Sequence, residues 1–171
     1  MIFAHTLDNV LLSKKTQTRR LVKAGECLCV SQTLLGEVVY VHIPGKRRVY
    51  EVGKSYAVQP GRGKKAVARI KITNLKREKI CSIRTQDAKA EGFTSRKAFF
   101  AAWYAIHGAK ANLEAEVWVI TFELENIVAD DLKALYEQRQ SVNQSVDHSD
   151  DISTSIGGLS GTHLYSGNYR T

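Results

Sequence analysis

Glu116-Val117-Trp118-Val119-Ile120-Thr121-Phe122-Glu123-Leu124 is the strongest strand in the sequence, because β-branched and aromatic side chains fit a pleated, packed surface. Upstream, Ala66 to Leu75 alternates Val67, Arg69, Lys71 and Thr73 with Ala68, Ile70 and Ile72. One apolar face and one charged face predict a half-solvated antiparallel sheet. Residues 26–50 hold three further runs, Leu28-Cys29-Val30, Val38 to Ile43 and Val49 to Val52, separated by Leu34-Leu35-Gly36 and by Pro44-Gly45-Lys46-Arg47-Arg48. Pro-Gly between β-rich runs marks a turn, since Pro presets one dihedral and Gly supplies the positive one. A hairpin with a basic tip follows. Gly53-Lys54 turns the chain into Tyr56-Ala57-Val58-Gln59, and Pro60 to Lys65 forms a second basic loop.

Helices are few. Met1-Ile2-Phe3-Ala4 is a short strand candidate, and Leu7, Val10 and Leu11 at helical spacing predict a first helix over about 6–14, with Thr6 or Asp8 as cap. Thr16 to Val22 alternates as a polar strand with Thr16, Thr18 and Arg20 on one side. Thr85 opens a short helix ending near Gly92, and Thr94 is placed to cap another that runs to about His107, with Phe99, Trp103 and Ile106 at packing intervals and Gly108 closing it. The class is α+β, mainly β. Closure removes the exposed edges an open sheet would leave, so the expected architecture is a small barrel with two or three flanking helices.

With 171 residues and 43% apolar composition the chain supports one core, over about residues 1–128. Residues 129–171 are expected to form a helix over 130–140 and then a Ser-, Asp-, Gly-, Asn- and Thr-rich tail that buries too little to order itself. No run approaches the length of a membrane-spanning helix, and the N-terminus lacks a signal-peptide pattern. A cytoplasmic monomer with no membrane partner is expected. Cys27, Cys29 and Cys81 are an odd count without zinc-knuckle spacing, and His5, His42, His107, His148 and His163 show no ligand spacing, so no metal site and no cofactor is read from the chain. The formal charge of +8 is uneven: residues 1–80 carry +12, 81–128 carry −1 and 129–171 carry −3.

Part of that basic half lies in Lys14-Lys15-Thr16-Gln17-Thr18-Arg19-Arg20. With Val52-Gly53-Lys54-Ser55-Tyr56, Ala88-Lys89-Ala90-Glu91-Gly92-Phe93-Thr94 leading into Phe99 and Trp103, and Val117 to Glu123, the chain resembles the activating signal cointegrator homology (ASCH) domain over about residues 1–126. That family belongs to the PUA-like β-barrels. The resemblance implies that fold, and it extends to small bacterial members that hydrolyse N4-acetylcytidine and related N4-acylated cytosines. Their Gly-x-Lys-x-x-Thr-x-Arg block is matched here by Lys15, Thr18 and Arg20, and their later glutamate by Glu91. Ser13 stands where the glycine is usual. Residues 26–50 are longer than the corresponding segment of those compact enzymes.

The chemistry follows from residue type. A threonine hydroxyl attacks a carbonyl only when a base takes its proton. Lys15 can be that base if burial or the like charge of Lys14, Arg19 and Arg20 lowers its pKa. Glu91 can protonate a leaving amine or activate water, and Arg20 can hold a carbonyl or carboxylate oxygen through its planar fork. Glu91 can equally be a structural partner of Arg20. Trp103 and Trp118 read as core, and Tyr56 as a ring able to stack on a base at a pocket rim. Two functions stay open: a metal-free amidohydrolase acting on a modified cytosine nucleoside, and a non-catalytic RNA-binding module using Arg47, Arg48, Arg62, Lys64 and Lys65 on phosphates. A ribonuclease is a weaker third, since no paired histidines are present to serve as acid and base.

Overall fold

The computed structural model of the chain describes residues 1–108, 111–130, 132–134, 136 and 137. Along the described residues the chain runs α1 (Leu7–Leu11), β1 (Gln17–Leu21), β2 (Cys27–Thr33), β3 (Gly36–His42), β4 (Arg48–Glu51), β5 (Ser55–Val58), β6 (Ala68–Lys79), a 3-10 turn (Ile80–Ser82), α2 (Thr85–Ala90), α3 (Arg96–His107) and β7 (Glu116–Ile127). The fold is α+β and mainly β. The tail expected from about Ser141 lies outside the described residues. Within the helix expected over 130–140, Lys133 N–H donates to Ala129 O, and buried Tyr136 donates its hydroxyl to Asp8 at 2.5 Å.

The strands form a four-stranded sheet in the order β1-β7-β6-β5 and a three-stranded meander β2-β3-β4, both antiparallel. The expected barrel is therefore not a continuous hydrogen-bonded cylinder among the described residues. Two devices close most of the gap. Gly53 N–H donates to Ile72 O at 2.8 Å and Ile72 N–H to Lys54 O at 3.1 Å, tying the end of the meander to β6. On the other edge, Ile2 bridges in parallel to Gln59 just beyond β5, and the Arg20 guanidinium, carried by β1, donates to Ile2 O at 3.1 Å. An arginine side chain thus spans the seam between the two edges of the larger sheet.

The continuous apolar run of β7 has a physical reason. Val117, Trp118, Val119 and Ile120 are all buried because both faces of the strand are covered. Val117 and Val119 pack with Ile80, Ile83, Ala88, Phe99 and Trp103 on the helical side. Trp118 and Ile120 pack with Val41, Ile72 and Leu75 between the sheets. Trp118 Nε1 donates at 2.7 Å to the buried Glu26 carboxylate, so the indole meets its polar requirement inside the core. On β6 the expected alternation holds through Ala68, Ile70 and Ile72. It then slips by one residue at a bulge between Ile72 and Asn74, which lets Leu75 stay inside.

Three local expectations are corrected. The first helix is only Leu7–Leu11, because the chain turns at Ser13 with φ 56°. The cap of α3 is Ser95, whose side chain accepts from Ala98 N–H at 3.1 Å, one residue beyond Thr94. Ile106 is exposed, since the inward stripe steps by four from buried Phe99 to buried Trp103 and then to half-buried His107, whose ring lies 4.0 Å from the indole. Ser13 occupies the left-handed region that costs an L-residue about 1–2 kcal/mol, and its side chain is exposed. Ser13→Gly is expected to raise the unfolding free energy by about 1 kcal/mol, partly offset by glycine's greater unfolded-state entropy. An unchanged urea midpoint would contradict this.

Candidate functional site

The hand-over from α1 to β1 positions the first site residue. Ser13 N–H donates to Val10 O, and Lys15 N–H returns to Asn9 O at 2.8 Å, a left-handed helix end that turns Lys15 inward. Thr16 then links α2 to β7: its N–H donates to Ala90 O and its O accepts from Phe122 N–H, both at 2.8 Å. Lys15 therefore lies beside Glu91, the residue that ends α2.

Lys15 and Glu91 are 3% and 4% exposed. The Lys15 ammonium donates to Glu91 Oε2 at 2.5 Å and to the Glu91 carbonyl at 2.7 Å. Burial is the largest influence on Lys15 and pushes its pKa below the usual lysine value. Glu91 opposes that shift, and the charges of Arg20 and Arg19 add to it. Of the three like charges expected beside Lys15, Arg20 and Arg19 act on it and Lys14 is not among them.

The alternation along β1 separates its polar residues onto two faces. Gln17 and Arg19 turn toward the helices, where Arg19 donates to Gln17 Oε1 at 2.9 Å, to Glu91 Oε1 at 3.3 Å and to Glu78 Oε1 at 2.7 Å. Thr18 and Arg20 lie opposite Ile120 and Trp118 and face between the sheets. Arg20 Nη1 donates to Thr18 Oγ1 at 2.6 Å and to Arg19 O at 2.9 Å. Thr18 is buried. Lys15 and Thr18 share no hydrogen bond among the described residues, and Arg20 joins them, bonded to the hydroxyl and acting through its charge on the lysine. The expected Glu91–Arg20 pair is not formed; Glu91 takes Lys15 and Arg19 instead.

Glu91 is held in place by the turn behind it. Gly92 has φ +88°, and a β-carbon there would meet the Asn9 amide nitrogen at 2.8 Å. That same amide donates to Gly92 O at 3.0 Å. Gly92→Ala is expected to cost about 1–3 kcal/mol through the positive φ and the clash, readable as a lowered melting temperature. A neutral substitution would show that Asn9 moves freely and that Glu91 is not fixed from this side.

No family model matches the chain, and no curated protein matches it. Among solved structures it is similar to protein EF3133 from Enterococcus faecalis V583, described by the family model DUF984, with 14% identity over 70% of this chain and 69% of that one and a TM-score of 0.45. So slight a likeness carries no argument about this site.

Tyr56 is half-buried on β5 with its ring 6.5 Å from that of Tyr50. Burial raises the pKa of both phenols; Arg20 opposes the shift on Tyr50, and Arg47 is among the charges that oppose it on Tyr56. The basic hairpin tip and the Arg20 cluster are thus both in electrostatic reach of this tyrosine pair. Nothing along Val49-Tyr50-Glu51-Val52 marks Tyr50 beyond its place in a strand. Arg48 is committed elsewhere: its guanidinium stacks 3.8 Å over the Tyr40 ring and pairs with Glu51 at 3.1 Å. Arg62, Lys64 and Lys65 are exposed on the loop after Gln59, whose side chain donates to Lys64 O.

The cysteines and histidines have no ligand spacing along the chain, and the fold nonetheless brings three of them together. Cys27, Cys29 and His42 present their donor atoms within 4.8 Å of one another. Spacing along one strand could not reveal this, because the third donor comes from across the ladder, where Cys27 pairs with His42. Cys81 lies outside this group. No helix among the described residues is long and apolar enough to cross a membrane.

Proposed function

We propose that the chain is a metal-free amidohydrolase acting on N4-acylated cytosine nucleosides, with Thr18 as nucleophile, Lys15 as its base and Glu91 as the acid. The single observation that carries the reading is the buried Lys15–Glu91 contact of 2.5 Å; Thr18, three residues on and also buried, has its hydroxyl oxygen held by Arg20. Passing the Lys15 proton to Glu91 along that contact gives lysine free base beside a carboxylic acid, and burial already lowers the Lys15 pKa. That form holds a base and an acid at once.

The bond changes balance as follows. Thr18 Oγ1 attacks the acyl carbonyl as its proton passes to Lys15 Nζ. The carbon–nitrogen bond breaks as Glu91 gives its proton to the departing cytosine N4. Water then attacks the threonine ester, giving one proton to Glu91 while Lys15 returns its proton to Thr18, which frees the carboxylic acid and restores the pair. Lys15 must exchange its bond to the Glu91 carbonyl for one to Thr18 when substrate enters, a tightening common between free and bound sites. Arg20 lowers the cost of negative charge on Thr18 Oγ1, and Tyr56 with Tyr50 supplies a ring surface for the base.

The purified protein is expected to release acetate and cytidine from N4-acetylcytidine without added metal, followed by chromatography of the nucleoside. Inertness toward a panel of N4-acylated cytidines would overturn the reading. A second reading, RNA binding, rests on exposed Arg62, Lys64 and Lys65, which have no ion pair among the described residues. It calls for an RNA affinity that falls steeply with salt, and supplying the acetylated cytidine within RNA tests both together.

A further inference from the structure

We infer that Cys27, Cys29 and His42 form a binding site for a thiophilic divalent cation of the zinc class, with one coordination position left open. This site lies in the meander, separate from the Lys15–Glu91 cluster, and does not depend on the proposed hydrolase activity.

The ladder builds the site. Cys27 and Cys29 are two apart on β2 and therefore share a face. The antiparallel register sets His42 opposite Cys27 and Tyr40 opposite Cys29, so all four side chains project from the same side. The other side of β3 carries Val41, fully buried in the core between the sheets. The thiols and the imidazole thus point away from that core, and all three are only partly buried. They are desolvated enough to favour a ligand and open enough to admit one.

The distances match zinc coordination. Two thiolates bound at about 2.3 Å with a tetrahedral angle between them stand about 3.8 Å apart. The Cys27 and Cys29 sulfurs are 3.8 Å apart. The histidine donor lies within 4.8 Å of both, so it needs to close by at most about 1.2 Å to reach the remaining tetrahedral edge. Charge also balances: two thiolates and a neutral imidazole neutralise a dication in a partly dry setting. A disulfide is the poorer use of the two sulfurs. Residues i and i+2 of a strand have their α-carbons about 6.6 Å apart, at the far end of the range a disulfide spans. Two sulfurs and one imidazole select a soft or borderline metal over Mg²⁺ or Ca²⁺, which take oxygen donors.

The test uses the full chain, reduced and kept free of oxygen, titrated with Co²⁺ as a spectroscopic stand-in for Zn²⁺. One equivalent is expected to produce a thiolate-to-cobalt charge-transfer band together with the intense visible bands of a four-coordinate ion, all discharged by one equivalent of Zn²⁺. Cys29→Ser and His42→Ala are each expected to weaken binding at least about 100-fold, since even outer-shell changes cost about 10–100-fold, while Cys81→Ser binds like the parent. As an independent readout, Zn²⁺ should raise the melting temperature of the parent and of Cys81→Ser but not of Cys29→Ser, each first shown to be folded by circular dichroism. If Cys29→Ser does not fold, Cys27→Ala takes its place. Absence of the bands in the reduced parent, their survival without Cys29 or Cys27, or their loss in Cys81→Ser overturns the assignment.

Discussion

Glu91→Leu is expected to lower the unfolding free energy by about 3–5 kcal/mol, because it strips the carboxylate from a buried ammonium and a buried guanidinium at once. Lys15 is 3% exposed and has Glu91 as its salt-bridge partner, and Arg19 loses one of three acidic neighbours while keeping Glu78 at 2.7 Å and Asp87 at 3.9 Å. The loss should depend on pH. The folded pKa of Lys15 lies below its unfolded value, so over the interval between them the unfolded chain holds the extra proton and stability rises with pH. Glu91 is the main influence opposing that depression. Its removal pushes the folded pKa lower and widens the interval, so the variant should recover stability as pH climbs toward the ordinary lysine range. Urea denaturation at a series of pH values reads both effects; a cost under about 1 kcal/mol with no pH dependence would mean that water reaches the pair and the site is not dry.

The companion variant Lys15→Met with Glu91→Leu separates packing from chemistry. Replacing both partners of a buried pair by apolar residues is often neutral or stabilising, so the double variant should regain most of the lost stability. If the pair supplies base and acid, the double variant is folded and inert. If Lys15 and Glu91 are both purely structural partners, hydrolysis survives in it.

The strands and their order of appearance were legible because they rest on local alternation: β6 follows Ala68, Ile70 and Ile72, and the hairpin tips fall where Leu34-Leu35-Gly36 and Pro44-Gly45 interrupt the β-rich runs. What alternation cannot express is which edges meet. Among the described residues the expected cylinder is interrupted at two seams: the meander meets β6 through the Gly53–Ile72 and Ile72–Lys54 backbone bonds alone, and the gap between β1 and Met1–Phe3 is crossed by a side chain, Arg20, and not by a ladder. The site divides in the same way. Lys15 and Glu91 entered through the resemblance of their blocks to the ASCH pattern, and their partners depend on three dimensions. Arg19, one residue from Arg20, turns to the opposite face and takes the carboxylate that the sequence offered equally to its neighbour. The Cys27, Cys29 and His42 group shows the limit most plainly: each residue is unremarkable along the chain, and only the ladder register puts histidine beside thiol.

Thr18→Val is expected to reduce hydrolysis of N4-acetylcytidine by at least about 10³-fold, since loss of a covalent nucleophile removes a route that the remaining groups cannot replace. The substitution is nearly isosteric at a buried position, and it deletes the acceptor of one Arg20 bond while Arg20 keeps the carbonyls of Arg19 and Ile2. The stability cost should therefore be about 1–2 kcal/mol, small enough for the folded enzyme to be assayed directly. Thr18→Ser keeps the hydroxyl and should retain measurable turnover, with the parent's pH profile of kcat/KM, because that profile reports the Lys15–Glu91 pair and not the identity of the nucleophile. Arg20→Gln should move the profile to higher pH: the Arg20 charge helps to depress the Lys15 pKa, so its removal lets the lysine hold its proton longer. A threonine that only supports Arg20 would give a different pattern. Thr18→Val would then keep most of its turnover, and the pH profile would shift in that variant as it does in Arg20→Gln, because both changes would act by disturbing the same guanidinium.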